Sequence, residues 1–138
     1  MNCRYDGGNS ERPDIKELLK EYDIIPFCPE VFGGLPTPRE KSGIRHLQTN
    51  QPATGKDVWN GHAKVYSESD EDVTEFFLKG AHEALKLAKM FNINKAYLKA
   101  RSPSCGVSTL SCFGNVIHGS GVCACILEKN SIIIIEKN

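Results

Sequence analysis

Hydrophobic residues recur along the chain at spacings that predict alternating helices and strands. The strongest helical pattern runs from residue 73 to 91, after a capping-box pair at Asp72 and Glu75, and a weaker one runs from residue 14 to 22. A third helix is expected over about residues 122–128, whereas residues 40–60 look irregular and polar. Short apolar runs predict strands at residues 23–28, 62–66, 95–99 and 131–136. This alternation favours an α/β domain with a mainly parallel sheet.

Length and composition fit one soluble domain. The chain has 138 residues, with 17 basic and 17 acidic side chains, and this neutral balance argues against binding along a nucleic-acid duplex. The apolar run at residues 132–135 is too short to cross a bilayer, and no signal peptide opens the chain. We therefore expect a cytoplasmic protein with no membrane partner. Its six cysteines should stay reduced, and no C-x-x-C pair indicates a zinc ribbon.

The first chemical motif is Cys28-Pro29-Glu30, at the end of a predicted strand. It places a thiol two residues from a carboxylate, and Pro29 stiffens the turn between them. Taken alone, Cys28 also fits a buried cysteine that acts as a small hydrophobe. Because ligands in parallel sheets bind beyond the carboxyl ends of the strands, this loop is predicted to lie at a site.

The second motif is Ser102-Pro103-Ser104-Cys105-Gly106, which follows the strand predicted at residues 95–99. Two hydroxyls and a thiol surround a proline, and Gly106 lets the backbone approach a ligand closely. By itself the motif fits a serine-rich turn that caps a helix equally well. If both loops meet at one sheet edge, their thiols, carboxylate and hydroxyls suit a metal or cluster with acid–base groups beside it.

The other cysteines and histidines give weaker signals. Cys123 and Cys125 alternate with apolar residues, which core packing explains best, and Cys112 is left undecided between a buried and a spare thiol. The histidines show no metal-ligand spacing, so surface or turn roles are expected for them.

Several charged and aromatic residues flank the motifs. The segment Arg4-Tyr5-Asp6-Gly7-Gly8 adds a cation, a phenol and a carboxylate, or it forms an ordinary Asp-Gly turn. Trp59 is expected to anchor a loop. Three cations near the motif loops either attract a polarised substrate or face solvent: Arg39, Lys99 and Arg101.

In their order along the chain, these motifs resemble those of the small bacterial thiouracil desulfidase family, formerly a domain of unknown function. The resemblance covers nearly the whole of residues 1–138, taken as a single domain, and the family's fold is a similar Rossmann-like α/β arrangement. It rests on Arg4-Tyr5-Asp6-Gly7-Gly8, on Cys28-Pro29-Glu30-Val31 with Gly33-Gly34-Leu35-Pro36-Thr37-Pro38-Arg39, on Asp72-Val73-Thr74-Glu75-Phe76-Phe77 and on Ser102-Pro103-Ser104-Cys105-Gly106.

The resemblance implies a cytoplasmic, hydrolase-like iron–sulfur enzyme. Members of the family hold a [4Fe–4S] cluster with three cysteines, and this cluster can be lost in air. The fourth iron is open and binds the sulfur of 2-thiouracil. Water then replaces that sulfur, giving uracil and sulfide with no net redox change. Carried over by motif, the cluster ligands are Cys28 and Cys105. Glu30 transfers protons, Ser102 or Ser104 assists, and the substrate-binding residues are Tyr5, Asp6 and Arg39.

The N-terminus departs from the family pattern. Members usually begin with a strand and a Ser-Ala-Cys-Leu-Leu-Gly turn that carries the third cluster cysteine, whereas this chain starts two residues before Cys3. We therefore expect an N-terminally truncated member in which the first strand is missing and Cys3 is the nearby substitute ligand. Loss of a central strand would expose apolar sheet edges, which predicts a destabilised monomer or a homo-oligomer. Residues 106–121 also differ from the family's usual stretch.

Two alternatives stay open at this point. A non-catalytic protein that binds a metal or cluster, or a plain structural domain, would also carry reduced cysteines. The thiolated pyrimidine could be a free base, a nucleoside or a modified tRNA, and the neutral charge leans towards a small molecule over tRNA.

Overall fold

The computed structural model describes residues 24–137 of the chain. The helix predicted at residues 14–22 lies outside the described residues, as do Asp23, Tyr5, Asp6 and Cys3. Within the described range, four helices and six strands follow one another as α1 (Pro29–Phe32), β1 (Ser42–His46), α2 (Gly55–Trp59), β2 (Ala63–Ser67), α3 (Thr74–Met90), β3 (Lys95–Lys99), β4 (Thr109–Cys112), β5 (Asn115–His118), α4 (Val122–Lys129) and β6 (Ile133–Lys137).

The described strands pair two by two. Strands β1 and β2 are antiparallel, with Ser42 opposite Ser67, and β4 and β5 form an antiparallel hairpin. Strands β3 and β6 are parallel, with Lys95 opposite Ile133. Helix α3 spans the middle of the fold and packs against both α1 and α4.

The hydrophobic core lies between these pairs and the two longer helices. Its fully buried members include Phe77 on α3, Val65 on β2 and Val122 at the start of α4. These side chains come from separate parts of the chain, so the core joins several of the elements around α3. None of the helices within residues 24–137 is both long enough and apolar enough to span a bilayer.

The mixed α/β class is confirmed, but the mainly parallel, Rossmann-like sheet is not found among the described strands. Parallel pairing is limited to β3 and β6, and the other two pairs are antiparallel. One cause is the two-residue turn of Phe113 and Gly114, which both have positive φ (48° and 91°). Such turns match the twist of antiparallel hairpins, so they fold β4 back onto β5.

The strand predicted at residues 23–28 is wrong over its described part. Residues 24–28 form no strand, although the backbone at Cys28 is extended, with φ −119° and ψ 106°. Pro26 cannot donate to a ladder, and Ile24 and Ile25 are exposed. The apolar run therefore leads into α1 as an extended segment that no described strand pairs with.

The irregular stretch predicted at residues 40–60 contains β1 and α2. Strand β1 carries polar residues and gains its stability from pairing with β2. Helix α2 begins with a full capping box, in which Thr54 and Asp57 exchange hydrogen bonds. The capping box predicted at Asp72 and Glu75 does not form, because Asp72 instead accepts bonds from the backbone and hydroxyl of Thr74.

The other predicted elements hold. The strand at residues 62–66, the long helix at 73–91, the strand at 95–99, the helix at 122–128 and the strand at 131–136 correspond to β2, α3, β3, α4 and β6. The predicted apolar face of α3 is only partly buried, since Phe77 lies in the core whereas Phe76 is 41% exposed.

Candidate active site

The Cys28 motif forms a tight turn that is fastened to α3. The Cys28 carbonyl accepts the amide of Phe32 at 3.0 Å, and Pro29 and Cys28 are both buried. Gly80 on α3 lies directly under this turn, because a Cβ atom there would overlap the carbonyl oxygen of Pro29. The backbone of the turn thus packs directly on the backbone of α3, which fixes the main-chain positions from which the Cys28 and Glu30 side chains extend.

The Glu30 carboxylate is held by Arg39. The guanidinium donates from Nε to Oε1 of Glu30 at 3.1 Å, and from Nη1 to the Pro36 carbonyl and the Thr37 hydroxyl. The two charged side chains are 6% (Arg39) and 16% (Glu30) exposed, so this ion pair is largely shielded from water. The loop at residues 33–41 is therefore tied back onto the carboxylate.

The Ser102 motif is a compact turn that follows β3. The Ser102 hydroxyl oxygen accepts the amides of Ser104 at 3.2 Å and Cys105 at 3.1 Å, and the Ser102 carbonyl accepts the amide of Gly106. This pattern of local side-chain bonds gives the turn its shape. Ser104 is fully buried and Ser102 is half-buried.

The same turn caps the first residues of α4. The amide of Val122 donates to the Pro103 carbonyl at 3.0 Å, and that of Cys123 donates to the Ser104 carbonyl at 2.9 Å. Gly121 must be a glycine here, because a Cβ atom would press on the Ser104 backbone. Helix α4 thus finds acceptors for its unpaired N-terminal amides in the motif loop, and the two form one unit.

The two motifs lie near enough for their ionisable groups to influence one another. Burial raises the pKa of the Cys105 thiol well above its usual value, and the nearby Cys123, Glu30 and Cys28 raise it further. By surface area Cys105 is half-buried, yet its sulfur is densely surrounded by protein atoms. Burial and the proximity of Cys28 raise the pKa of Cys123 to about 12. Three thiols and one carboxylate therefore share one electrostatic neighbourhood.

The Ser104 hydroxyl is the unusual polar group of this neighbourhood. It is completely buried and has no hydrogen bond of ordinary geometry within the described part of the chain. It lies close enough to the Cys105 thiol to lower its pKa, which offsets part of the rise caused by burial.

The structure brings together Cys28, Glu30, Cys105 and the two serines of the second motif. Arg39 lies beside Glu30, and its role towards substrate stays a prediction. The predicted site residues Tyr5, Asp6 and Cys3 lie outside the described range. Trp59 was predicted to anchor a loop; it instead anchors the start of α4, donating from Nε1 to the Val122 carbonyl at 2.8 Å.

Cys123 belongs to this neighbourhood, which sequence reasoning did not foresee. Core packing was predicted for Cys123 and Cys125, and both are buried. Only the fold distinguishes them, because both alternate with apolar residues in the same helix. Cys112, undecided from sequence, is buried and donates from its thiol to the Ile44 carbonyl at 3.7 Å.

The donor set fits a cluster better than a single ion. Within residues 24–137, no three His, Cys, Asp or Glu side chains converge on one metal-ion position. Cysteine ligands of a [4Fe–4S] cluster each bind a different iron, so they need only surround a shared space. Cys28 and Cys105, one from each motif loop, lie near enough for Cys28 to influence the pKa of Cys105, which agrees with this looser requirement.

A separate surface cavity of about 320 Å³ contains none of these residues. It lies at the far end of α3 and offers one cationic side chain, that of Lys89. Its lining residues are Leu85, Ala88, Lys89, Asn92, Ile93, Asn130 and Ile132.

Comparison with known proteins agrees with this geometry. The sequence profile of the 2-thiouracil desulfurase family matches residues 1–138. The uncharacterized protein YbbK of Bacillus subtilis (strain 168) is 38% identical over 141 aligned positions, which cover all of this chain and 89% of YbbK. The solved structure of the [4Fe–4S]-dependent thiouracil desulfidase TudS superposes with a TM-score of 0.78 and 32% identity, covering 97% of this chain and 82% of TudS.

Fold and site together define a small mixed α/β domain that gathers cysteines and a carboxylate between two loops. The family profile matches the whole of residues 1–138, which confirms the family predicted from the motifs. The chain belongs to the 2-thiouracil desulfurase family, and it is an enzyme of the desulfidase class.

Proposed function

We propose that this protein is a [4Fe–4S]-dependent desulfidase that converts 2-thiouracil, or a related small thiolated pyrimidine, to the oxygen analogue and sulfide. The observation that carries the proposal is the convergence of Cys28, Glu30 and Cys105. Family membership and the likeness to TudS support it. Overall, a C=S bond and water become a C=O bond and hydrogen sulfide, and no external oxidant or reductant is needed.

Cys28 and Cys105 would hold the cluster as thiolates. When bound, a cluster with an open iron supplies a Lewis acid for the thiocarbonyl sulfur. Both loops are shaped by backbone contacts, with Cys28 over Gly80 and Cys105 in the Ser102 turn. The protein therefore presents its sulfur donors from fixed positions, which favours a tightly bound cofactor.

Glu30 would carry the protons of the reaction. Attack of water on the pyrimidine carbon requires a base to take one of its protons, and the departing sulfur must receive protons. Arg39 occupies Oε1 of Glu30 through its Nε and so orients the carboxylate. The position of this carboxylate on the first turn of α1, two residues from Cys28, supports the proposed role.

Ser102 is the better candidate for the assisting hydroxyl. Its oxygen accepts two backbone amides, and neither bond uses the hydroxyl proton, which can still be donated to a substrate. Ser102 is half-buried, whereas Ser104 is fully enclosed and cannot face a substrate. We therefore propose that the Ser102 hydroxyl contacts the substrate, whereas the Ser104 hydroxyl stays buried inside the protein.

The test is anaerobic reconstitution followed by turnover of 2-thiouracil. We expect about four iron and four sulfide per chain, and equal amounts of uracil and released sulfide. Glu30→Gln should lower kcat by about 10²–10⁴-fold, because it removes the general acid–base group. Its iron content should match that of the wild type.

Glu68→Gln is the matched control, since Glu68 is exposed and lies outside the two motifs. This variant should keep full activity. A Glu30→Gln enzyme with the wild-type rate would remove Glu30 from the reaction, and a protein that takes up no iron would overturn the proposal.

A further inference from the structure

The Ser104 hydroxyl is buried without a hydrogen-bond partner. Its side chain is 0% exposed, and no group among the described residues bonds to its oxygen. The other two buried polar side chains of the described chain are both satisfied. Ser67 bonds to the Ser69 hydroxyl at 3.2 Å, and Thr74 donates to the Asp72 carboxylate at 2.6 Å. Buried polar groups without a partner are rare in folded proteins and call for an explanation.

The backbone of Ser104 is held on both sides. Its amide donates to the Ser102 hydroxyl at 3.2 Å, and its carbonyl accepts the amides of Cys123 at 2.9 Å and Ala124 at 3.1 Å. Gly121 packs against the same carbonyl, since a Cβ atom there would overlap it. Because the main chain is fixed by these contacts, the Ser104 side chain is kept inside the protein.

The next residue, Cys105, carries a sulfur that can serve as the missing acceptor. A neutral thiol accepts hydrogen bonds weakly, whereas a sulfur with negative charge accepts them strongly. Burial raises the pKa of the Cys105 thiol, and the Ser104 hydroxyl acts against this rise. The hydroxyl therefore lacks a good partner while Cys105 is a thiol, and gains one when the sulfur beside it is anionic, as a metal-bound thiolate is.

We propose that Ser104 is a positioning residue whose hydroxyl donates a hydrogen bond to metal-bound sulfur at Cys105 and so favours the reduced, more negatively charged cofactor. The inference rests on the proposed function, because it concerns the cofactor of that same site. Hydrogen bonds to the sulfurs of an iron–sulfur cluster are among the factors that set its reduction potential. The role differs from that of Ser102, whose hydroxyl stays available to substrate.

The apo and loaded forms of the protein should respond to Ser104→Ala in opposite directions. In the apo protein the change removes an unsatisfied buried hydroxyl, so the Tm should equal that of the wild type or exceed it. After anaerobic reconstitution the change removes a hydrogen bond to sulfur, so the reduction potential of the cluster should fall. Since a lower potential makes oxidation easier, the visible absorption of the cluster should also disappear faster in air.

Ser67→Ala is the control for the loss of a buried hydroxyl. Ser67 lies outside both motifs, and its oxygen accepts the Glu71 amide at 3.2 Å in addition to its bond with Ser69. This variant should lower the apo Tm, because it leaves partners unpaired. Its reduction potential and its rate of cluster loss should match those of the wild type.

Two results would contradict the role of Ser104. One is a Ser104→Ala protein whose cluster has the wild-type potential and the wild-type rate of loss. The other is a clear fall in the apo Tm of this variant, because the hydroxyl would then already have a partner inside the apo protein.

Turnover of 2-thiouracil by the same samples separates this inference from the proposed function. If the wild type turns over and Ser104→Ala keeps the wild-type potential, only the role of Ser104 is wrong. If the loaded wild type shows no turnover but Ser104→Ala lowers the potential, the reaction is wrong and the role of Ser104 stands. A wild type that takes up no iron would overturn both.

Discussion

The Arg39 guanidinium links three parts of the site at once. It contacts the Glu30 carboxylate, the Pro36 carbonyl and the Thr37 hydroxyl, and its side chain is only 6% exposed. A planar group with several donors suits this task better than a lysine ammonium. Its contacts indicate that Arg39 positions the Glu30 carboxylate, for which we propose the proton-transfer role.

Arg39→Gln is expected to lower kcat by about tenfold to a hundredfold, because a misplaced carboxylate transfers protons poorly. Cluster content and KM should change little. Steady-state kinetics on reconstituted enzyme, with iron determined on the same sample, measure all three quantities.

Arg45→Gln is the control, since Arg45 pairs with Asp70 at 2.7 Å and touches neither motif. A rise in KM with unchanged kcat for Arg39→Gln would instead support direct binding of substrate, the role predicted from the motif.

Residue chemistry was more predictable than residue roles. Cys28, Glu30 and Cys105 could be named from sequence because a thiol or carboxylate beside proline in a turn is conspicuous. Cys123 could not, because its pattern is that of Cys125 and only the packing of α4 separates the two. The partners of Arg39 depend on a loop that returns from residue 39 to residue 30, a distance that no local pattern encodes.

At the scale of elements, the contact between α1 and α3 positions the first motif. Gly80 on α3 admits the Pro29 backbone, and Gly33 likewise admits the Phe76 carbonyl. Small residues on facing elements therefore set how closely the Cys28 turn approaches the helix.

Gly80→Ala should destabilise the protein by about 1–3 kcal/mol, because the added methyl group forces the two backbones apart. This sign is the opposite of helix propensity, which favours alanine over glycine by about 1 kcal/mol. Urea unfolding of the apo protein measures the difference. Lys79→Ala, at an exposed neighbouring position, should stay within about 0.5 kcal/mol of wild type. A more stable Gly80→Ala protein would show that the contact is loose.

Elements with their own periodicity were predictable and those that depend on partners were not. Helix α3 and strand β3 follow from their apolar spacing. Strand β1 is polar and exists because β2 pairs with it, while the apolar run at residues 24–28 lacks a described partner and forms no strand. The direction of pairing likewise depends on turns such as that at Phe113 and Gly114.

For the molecule as a whole, two carboxyls near helix starts, Asp57 and Asp72, couple stability to pH. Partial burial acts to raise the pKa of Asp57, but hydrogen bonds from Thr54 and the nearby His46 and His62 bring it below the usual 3.8. Partial burial likewise acts to raise the pKa of Asp72. Hydrogen bonds from Thr74 and the nearby charge of Lys64 outweigh that effect, so the pKa is lowered. Folding therefore favours the charged form of both carboxyls.

Since both carboxyls have a lower pKa in the folded state, they stabilise the protein above about pH 4. That contribution is lost as the pH falls below 3.8 and through the folded-state pKa values. We expect the Tm of the apo protein to fall steeply below about pH 4. Thermal unfolding followed by circular dichroism between pH 7 and pH 3 measures this.

Asp57→Asn and Asp72→Asn together should lower the Tm at pH 7 and flatten its fall in acid. Asparagine keeps an acceptor oxygen but removes the charge, which near a helix N-terminus is worth about 0.3–1 kcal/mol. An unchanged acid slope in the double variant would assign the acid sensitivity to other carboxyls.

The Ser102 turn and α4 share their hydrogen bonds, and β6, which follows α4, pairs with β3 just before that turn. The loop that carries Cys105 therefore receives its shape from residues near the end of the chain. A change within α4 or β6 is therefore expected to reach the Cys105 loop even where it touches none of the motif residues.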